Sequence, residues 1–178
     1  VGDPGAVAKR SDQIESLLDK LQAFDTSQEK IYWIQAKCEY YLALNEADVA
    51  KQILDGSPLA GHVSPVVELL RARILMKKKS YVEASKILQK LFDKTAGERT
   101  GQRTGQRKSI LPIICRWLVD ASGANAPSVG ADAFLKCQKY LPRRVATMLA
   151  KQLLEALAFT RTQLPDASMR ALQTATLK

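Results

Sequence analysis

Few residues in this sequence have the types and spacing that catalysis or metal binding requires. His62 is the one histidine, and a lone histidine in a loop is more often solvated than catalytic. Cys38, Cys115 and Cys137 have no CxxC spacing, and with one histidine they match no closed zinc pattern. No phosphate-binding, dinucleotide-binding, serine-hydrolase or HExxH motif occurs. We therefore expect no catalytic residue, no metal and no cofactor.

The cysteines and the hydropathy also indicate a compartment. Cys38 and Cys115 fall in apolar helical patterns, where a free cysteine acts as a small buried hydrophobe. An odd number of cysteines without paired spacing favours a reducing environment. No segment approaches the roughly 18 consecutive apolar residues that span a bilayer. We expect an intracellular protein, cytoplasmic or nuclear, without a membrane partner.

Positive charge is the strongest chemical signal, and it is unevenly distributed. The net charge is +9, yet residues 1–76 contain 8 basic and 11 acidic residues. Residues 77–108 contain 10 basic and 3 acidic residues, and residues 109–178 contain 9 and 4. The candidate basic patch comprises Lys77, Lys78, Lys79, Arg99, Arg103, Arg107 and Lys108. Such a cluster can neutralise RNA phosphates or bind an acidic protein.

RNA binding by this patch and the C-terminal part of the chain is therefore an alternative function. Against it, aromatic residues are few, and Trp33 and Trp117 fall at core-like helical positions. A basic patch without interleaved aromatics lacks the stacking platform that single-strand binders use.

The residues around these candidates are predicted to be helical. Apolar residues recur at three- and four-residue steps and never alternate, which indicates an all-α protein. The expected helices begin after Ser11 and cover about 27–44, 47–54, 65–76, 81–94, 110–121, 129–141 and 143–162, with a last segment from 165. Residues 122–127 are expected to form a long turn, and Pro112 to lie in the first turn of its helix.

Two of these helix pairs repeat with a period of 34 residues. When the sequence is aligned with itself at a shift of 34 residues, Cys38 matches Ala72, Ala50 matches Ala84 and Leu54 matches Leu88. Small residues at matching positions would let paired helices approach closely, while the larger ones fill the space between them.

A 34-residue period with this order of small and large residues resembles the tetratricopeptide repeat, a helix–turn–helix unit. Residues 31–92 carry the resemblance, although Asn45 and Lys79 stand where the family usually has glycine in the turn. It implies an all-α, tetratricopeptide-like α-solenoid of antiparallel helix pairs. We expect a disordered tail at 1–10 and one helical-repeat domain at 11–178, with repeat pairs at about 30–56 and 64–94 and irregular pairs at 110–178.

In the tetratricopeptide family the first helix of each pair lines a concave groove that binds peptides or helices. The resemblance implies that the partner-binding groove is formed by Tyr32, Gln35, Glu39, Leu42, Val66, Leu69, Arg73 and Met76. Leu42 and Leu69 are as well explained as core residues between repeats. The implied function is a non-catalytic protein–protein interaction scaffold of a multi-subunit complex.

Two short segments are similar to a narrower family. "KCEYYLAL" (37–44) and "ILDGSP" (53–58) resemble the repeat-built scaffold subunits of the anaphase-promoting complex, in particular its subunit 7 family. This resemblance implies a cell-cycle ubiquitin-ligase scaffold, nuclear or cytoplasmic, that self-associates.

The segment "ERTGQRTGQRKS" (98–109) interrupts the period. Cys38 and Ala72 are one period of 34 residues apart, so the next small residue is expected at position 106, which is occupied by Gln106. Each glycine inside a helix costs about 1 kcal/mol relative to alanine. We therefore expect a flexible basic loop over residues 95–109.

Overall fold

A computed structural model describes residues 13–17, 20, 27–61, 64–97 and 105–177, with side chains for 13–17, 20, 32–61, 64–97 and 110–177. These residues form helices joined by short turns and contain no strand, which confirms the all-α prediction. Within the same ranges, every helix is too short or too polar to cross a bilayer. The predicted tail at 1–10 lies outside the described residues.

The helices are α1 (Ser27–Ala43), α2 (Ala47–Asp55), α3 (Pro65–Lys77), α4 (Tyr81–Gly97), α5 (Gly105–Asn125), α6 (Pro127–Cys137), α7 (Arg143–Thr160) and α8 (Asp166–Leu177). A short 3₁₀ helix, Gln138–Tyr140, follows α6. The chain divides into two compact units, 1–70 and 71–178, with the boundary inside α3. The single helical-repeat domain over 11–178 stays a prediction.

In the first unit, small side chains lie where α1 and α2 pack together. Cys38 and Ala50 are completely buried. The Cys38 thiol donates a hydrogen bond to the Ala50 carbonyl oxygen at 3.4 Å, so a side chain of one helix reaches the backbone of the other. Leu42 and Leu54 are also buried. This pair is therefore held by a close approach of backbones, with leucines filling the remaining volume.

The turns after α1 and α3 have the same geometry. Asn45 and Lys79 adopt left-handed conformations, with φ of 65° and 61°. The Asn45 and Lys79 amides bond to carbonyls three residues back, at 3.2 and 3.0 Å, and the amides that follow them bond to carbonyls five residues back, at 2.8 and 2.9 Å. This is the Schellman arrangement, which usually places glycine at the left-handed position. The residues that depart from the repeat pattern thus adopt the backbone conformation expected of glycine there.

Burial also follows the 34-residue period. Ala72 and Ala84 are completely buried, as are Cys38 and Ala50 one period earlier. Leu88 is fully buried, and Leu54 is 1% exposed. The repeat seen in the sequence is therefore present as repeated turn geometry and repeated small buried positions.

The second unit continues as a series of neighbouring helices. From α4 onward, each helix packs on the next, and α5 also contacts α7. Phe92 of α4 meets Tyr140 edge-to-face, with ring centroids 5.7 Å apart. The Thr147 hydroxyl of α7 donates a hydrogen bond to the Ala175 carbonyl oxygen of α8 at 3.1 Å. Neighbours in sequence are thus neighbours in space from 81 to 177.

The helices α5 and α6 approach each other most closely at two glycines, Gly123 and Gly130. A Cβ atom at Gly130 would lie 2.5 Å from the Cα and 2.8 Å from the amide nitrogen of Gly123. It would also lie 2.8 Å from a methyl carbon of Leu153 in α7. Position 130 therefore requires a residue without Cβ, or one helix must move, whereas a Cβ at Gly123 would meet only the movable Leu153 methyl closely, at 3.2 Å.

This contact explains why the predicted turn at residues 122–127 is wrong. The helix α5 continues to Asn125, and Ala126 alone separates it from α6. The glycine that was interpreted as a turn signal is a packing position inside a helix. Pro112 is also interior to α5, because that helix begins seven residues earlier, at Gly105. Lacking an N–H, Pro112 leaves the carbonyl of residue 108 without its helical donor.

The interval expected as a loop over 95–109 is helical at both of its ends, over 95–97 and 105–109. The helix α4 ends at Gly97 and α5 starts at Gly105, so two of the three glycines occupy helix termini. Glycine costs less at a helix end than inside one, so the penalty that predicted a longer loop is largely avoided. Residues 98–104 lie outside the described part of the chain.

Substituting Gly130 by alanine is expected to lower the free energy of unfolding by about 2–3 kcal/mol, because the added methyl meets a backbone that cannot yield. Gly123→Ala is expected to change the free energy of unfolding little, because the gain of about 1 kcal/mol from helix propensity offsets the displacement of the movable Leu153 methyl at 3.2 Å. Gly97→Ala is the control, because nothing lies within 4 Å of its added Cβ. Chemical denaturation measures all three, and equal losses at Gly130 and Gly97 would contradict the packing described.

Lys79→Gly is expected to raise the free energy of unfolding by about 0.5–1 kcal/mol. The penalty of a Cβ in the left-handed region, about 1–2 kcal/mol, exceeds the entropic cost of glycine, about 0.5–1 kcal/mol. Lys86→Gly is the matched control, because Lys86 is exposed inside α4, and it should lose about 1 kcal/mol. Urea unfolding measures the free energy of unfolding of both variants. An equal decrease for Lys79→Gly and Lys86→Gly would refute the turn geometry.

Candidate functional site

The thiols are poorly placed for nucleophilic chemistry. Cys38, Cys115 and Cys137 are all buried. Burial raises the pKa of the Cys38 thiol to about 11. A hydrogen bond with Cys115, together with burial, raises the pKa of Cys137 far above its ordinary value. Because the thiolate is the reactive form of cysteine, these residues act as small core side chains.

The other expected sources of chemistry give no site within the described part of the chain. His62 lies outside it. Among the residues described, no three His, Cys, Asp or Glu side chains come together in a way that could hold a metal ion.

Six of the predicted groove residues lie in the first unit, and two of them are core. Leu42 is completely buried and Leu69 is 8% exposed, so neither offers a surface to a partner, and their assignment to the groove is corrected. Tyr32 is 64% exposed and Val66 is 41% exposed. Gln35 and Glu39 are half-buried on α1.

The other two groove residues, Arg73 and Met76, line a cleft in the second unit. This cavity of about 410 Å³ lies between the end of α3, the start of α4 and the face of α5. Its lining, which we call the Trp117 cleft, comprises Arg73, Met76, Lys77, Tyr81, Arg116, Trp117, Asp120 and Ala124. All eight residues belong to the unit 71–178.

Helical spacing brings these side chains to one place. Arg73, Met76 and Lys77 follow one another at i, i+3 and i+4 in the last turns of α3. The chain then makes the tight turn at Lys79, and Tyr81 enters the cleft as the first residue of α4. The left-handed turn therefore sets the distance between the α3 side chains and Tyr81.

The α5 side of the cleft uses the same spacing. Arg116, Asp120 and Ala124 are four residues apart, so they share one face of the helix, with Trp117 beside them. The neighbouring positions Ile114, Leu118 and Ala121 are buried. The helix α5 thus presents one face to the core of its unit and another to the cleft.

An arginine and a tryptophan join the two sides of the cleft. The guanidinium carbon of Arg73 lies 5.9 Å from the centroid of the Trp117 ring, within the range of a cation–π contact. Trp117 is half-buried, so part of its ring remains on the cleft wall. This contact orients a cation and an aromatic surface next to each other.

Asp120 is the one carboxylate in the cleft lining. Its Oδ2 atom lies 3.8 Å from Nε of Arg116, and the two side chains are 33% and 52% exposed. Burial raises the pKa of Asp120 above its ordinary value, and the charge of Arg116 opposes that shift. With Arg73, Lys77 and Arg116, the lining carries three cations against one acid.

A second, smaller cavity adjoins the cleft along α5. It has a volume of about 190 Å³ and lies between α5 and α7. Asp120 and Ala124 line both cavities, and Gln152 and Ala156 of α7 line only the second. The concave surface therefore extends along the exposed face of α5 from α3 to α7.

Only part of the predicted basic patch reaches this region. Lys77 lines the cleft, and Lys78 and Lys79 are exposed in the turn that follows it. Arg99 and Arg103 lie outside the described residues. Arg107 and Lys108 belong to the backbone of α5, but their side chains are outside the described set. The structure thus associates one of the seven predicted basic residues with a cavity.

Sequence reasoning missed the α5 wall of the cleft. Trp117 was assigned to the core because it lies in an apolar helical pattern, although it is half-exposed. The signal was the pair of charged residues Arg116 and Asp120, four residues apart on the helix face next to Trp117.

No protein-family model, no curated protein and no solved structure matches this chain.

Proposed function

We propose that this chain is a non-catalytic protein–protein interaction module that docks a peptide or helix of its partner in the Trp117 cleft. The observation that carries the proposal is a 410 Å³ concavity whose walls combine a half-buried tryptophan, a tyrosine and three cations. Interfaces are anchored by tryptophan, tyrosine and arginine more than by other residues. The burial of all three thiols, and the raised pKa of Cys38 and Cys137, support a role without covalent chemistry.

The architecture supports the same proposal at a coarser level. We infer a tetratricopeptide-like solenoid from the repeated turns at Asn45 and Lys79 and from the helices that pack in sequence order after Tyr81. In such stacks the first helix of each pair lines the binding surface. The helices α3, α5 and α7 would be those first helices, and they supply most of the lining of the two cavities.

A scaffold subunit of a multi-subunit complex is the cellular role that follows from this proposal. The resemblance in residues 37–44 and 53–58 makes the anaphase-promoting ubiquitin ligase the first assembly to test.

RNA binding is the second candidate, and the cations of the cleft favour it. Asp120 weighs against it, because a carboxylate in the lining repels phosphate. Its partial burial also weakens solvent screening of that repulsion.

The docking proposal is tested by selecting binders from a displayed library of random dodecapeptides and measuring their affinity for the full chain. Ala124→Gln should weaken the selected peptides by about tenfold or more, because Ala124 is exposed and its uncharged replacement fills part of the cleft without removing core volume or changing the charge of the lining. Ala158→Gln is the matched control, since Ala158 is exposed on α7 and lines neither cavity. Failure to select any peptide, or equal affinity for both variants, would show that the cleft is not a docking site.

A further inference from the structure

The charges of the Trp117 cleft identify the chemistry of the partner that it fits. Arg73, Lys77 and Arg116 surround one carboxylate, that of Asp120. The lysine is exposed and Arg116 is 52% exposed, so two cations lie where an incoming chain first makes contact. A docking segment would therefore need negative charge at the edges of the cleft.

The ion pair between Arg116 and Asp120 is weak enough for Arg116 to bind a carboxylate of a partner instead. The two groups are 3.8 Å apart at i and i+4 on α5, a spacing at which partly exposed ion pairs contribute little. A carboxylate supplied by a partner can bind Arg116 bidentately, which is stronger and more directional than the internal contact.

The uncharged walls indicate a second requirement. Trp117 and Tyr81 are half-buried, and Met76 adds a flexible apolar surface beside them. Arg73 packs over the Trp117 ring, so an apolar side chain of the partner can extend that stack while a carboxylate binds Lys77 or Arg116 in the same cavity. Negative charge and an apolar anchor are thus recognised within one cavity.

Asp120 favours a peptide over a nucleic acid as the occupant of the cleft. A polypeptide carries backbone N–H groups, and the Asp120 carboxylate can accept hydrogen bonds from them. An RNA strand instead brings a negatively charged phosphate at every linkage, which the Asp120 carboxylate repels. The face of Trp117 that a base would need is also shared with Arg73.

We propose that the Trp117 cleft recognises an acidic peptide segment in which aspartate or glutamate residues flank an apolar or aromatic anchor. This inference rests on the proposed docking function and names its partner. Charge beyond Lys77 acts in the same direction, since residues 78–108 contain 9 basic and 3 acidic residues. That field speeds encounter with an acidic segment and makes the affinity depend on salt.

The composition of the peptides selected from the random library is the first test. Enriched sequences should be net negative and share an apolar residue, and replacing their Asp and Glu by Asn and Gln should weaken binding by about tenfold or more at low salt. A labelled pool of random RNA is measured in parallel across a salt series.

Matched lysine variants localise the charge effect. Lys77→Gln should weaken the acidic peptides several-fold and leave their Asn/Gln versions unchanged. Lys90→Gln should affect neither, because Lys90 is an exposed α4 lysine outside the cleft lining. Both replaced side chains are exposed, so loss of folding does not confuse the comparison. Arg116→Gln should act like Lys77→Gln, and equal effects of Lys77→Gln and Lys90→Gln would overturn the inference.

The outcomes separate the two proposals. Enrichment of neutral or basic peptides at the cleft would overturn the acidic partner and leave the docking function intact. Absence of any peptide binder, or binding of the RNA pool alone, would overturn both.

Discussion

Close backbone contact between helices, made possible by small side chains, is the constraint on which the rest of this structure depends. Cys38 and Ala50 allow it in the first unit, and Gly123 and Gly130 impose it between α5 and α6. The glycine contact is the more demanding, because any Cβ at position 130 would enter the backbone of α5. Close approach maximises dispersion contacts and leaves neighbouring large side chains to fill the remaining volume. Once α5 is fixed in this way, its other face is available for a partner.

The cleft follows from that arrangement. The helix α5 buries one set of side chains in its unit and presents Arg116, Asp120 and Ala124 on another face. The turn at Lys79 brings Tyr81 opposite, and Arg73 packs over the Trp117 ring. An aromatic surface and several cations are thus held by helices rather than by a loop. Preorganised anchors of this kind lose less conformational entropy when a partner binds. For this reason the docking proposal rests on the cleft rather than on the basic patch.

The sequence predicted local features well and non-local ones poorly. The all-α class, the 34-residue period and most helix bounds up to Tyr81 follow from spacing within one helix pair, so they could be inferred from the residues alone. The end of α5 could not, because Gly123 resembles a turn residue until Gly130 is known to lie against it. For the site, Arg73 and Met76 line a cavity, whereas Leu42 and Leu69 are core, and the partner-binding role of the remaining groove residues stays a prediction. Trp117 was missed because spacing does not distinguish a core aromatic from one that lines a cavity.

The central claim, that a partner docks beside Trp117, is tested most directly by tryptophan fluorescence, since the chain contains two tryptophans, Trp33 and Trp117. In Trp33→Phe the remaining emission reports on the cleft, and in Trp117→Phe it reports on α1. The account predicts that a library-selected peptide changes the emission of the Trp33→Phe protein in a saturable way, while Trp117→Phe protein responds weakly or not at all. A saturable response from Trp33 with an unchanged Trp117 signal would contradict it.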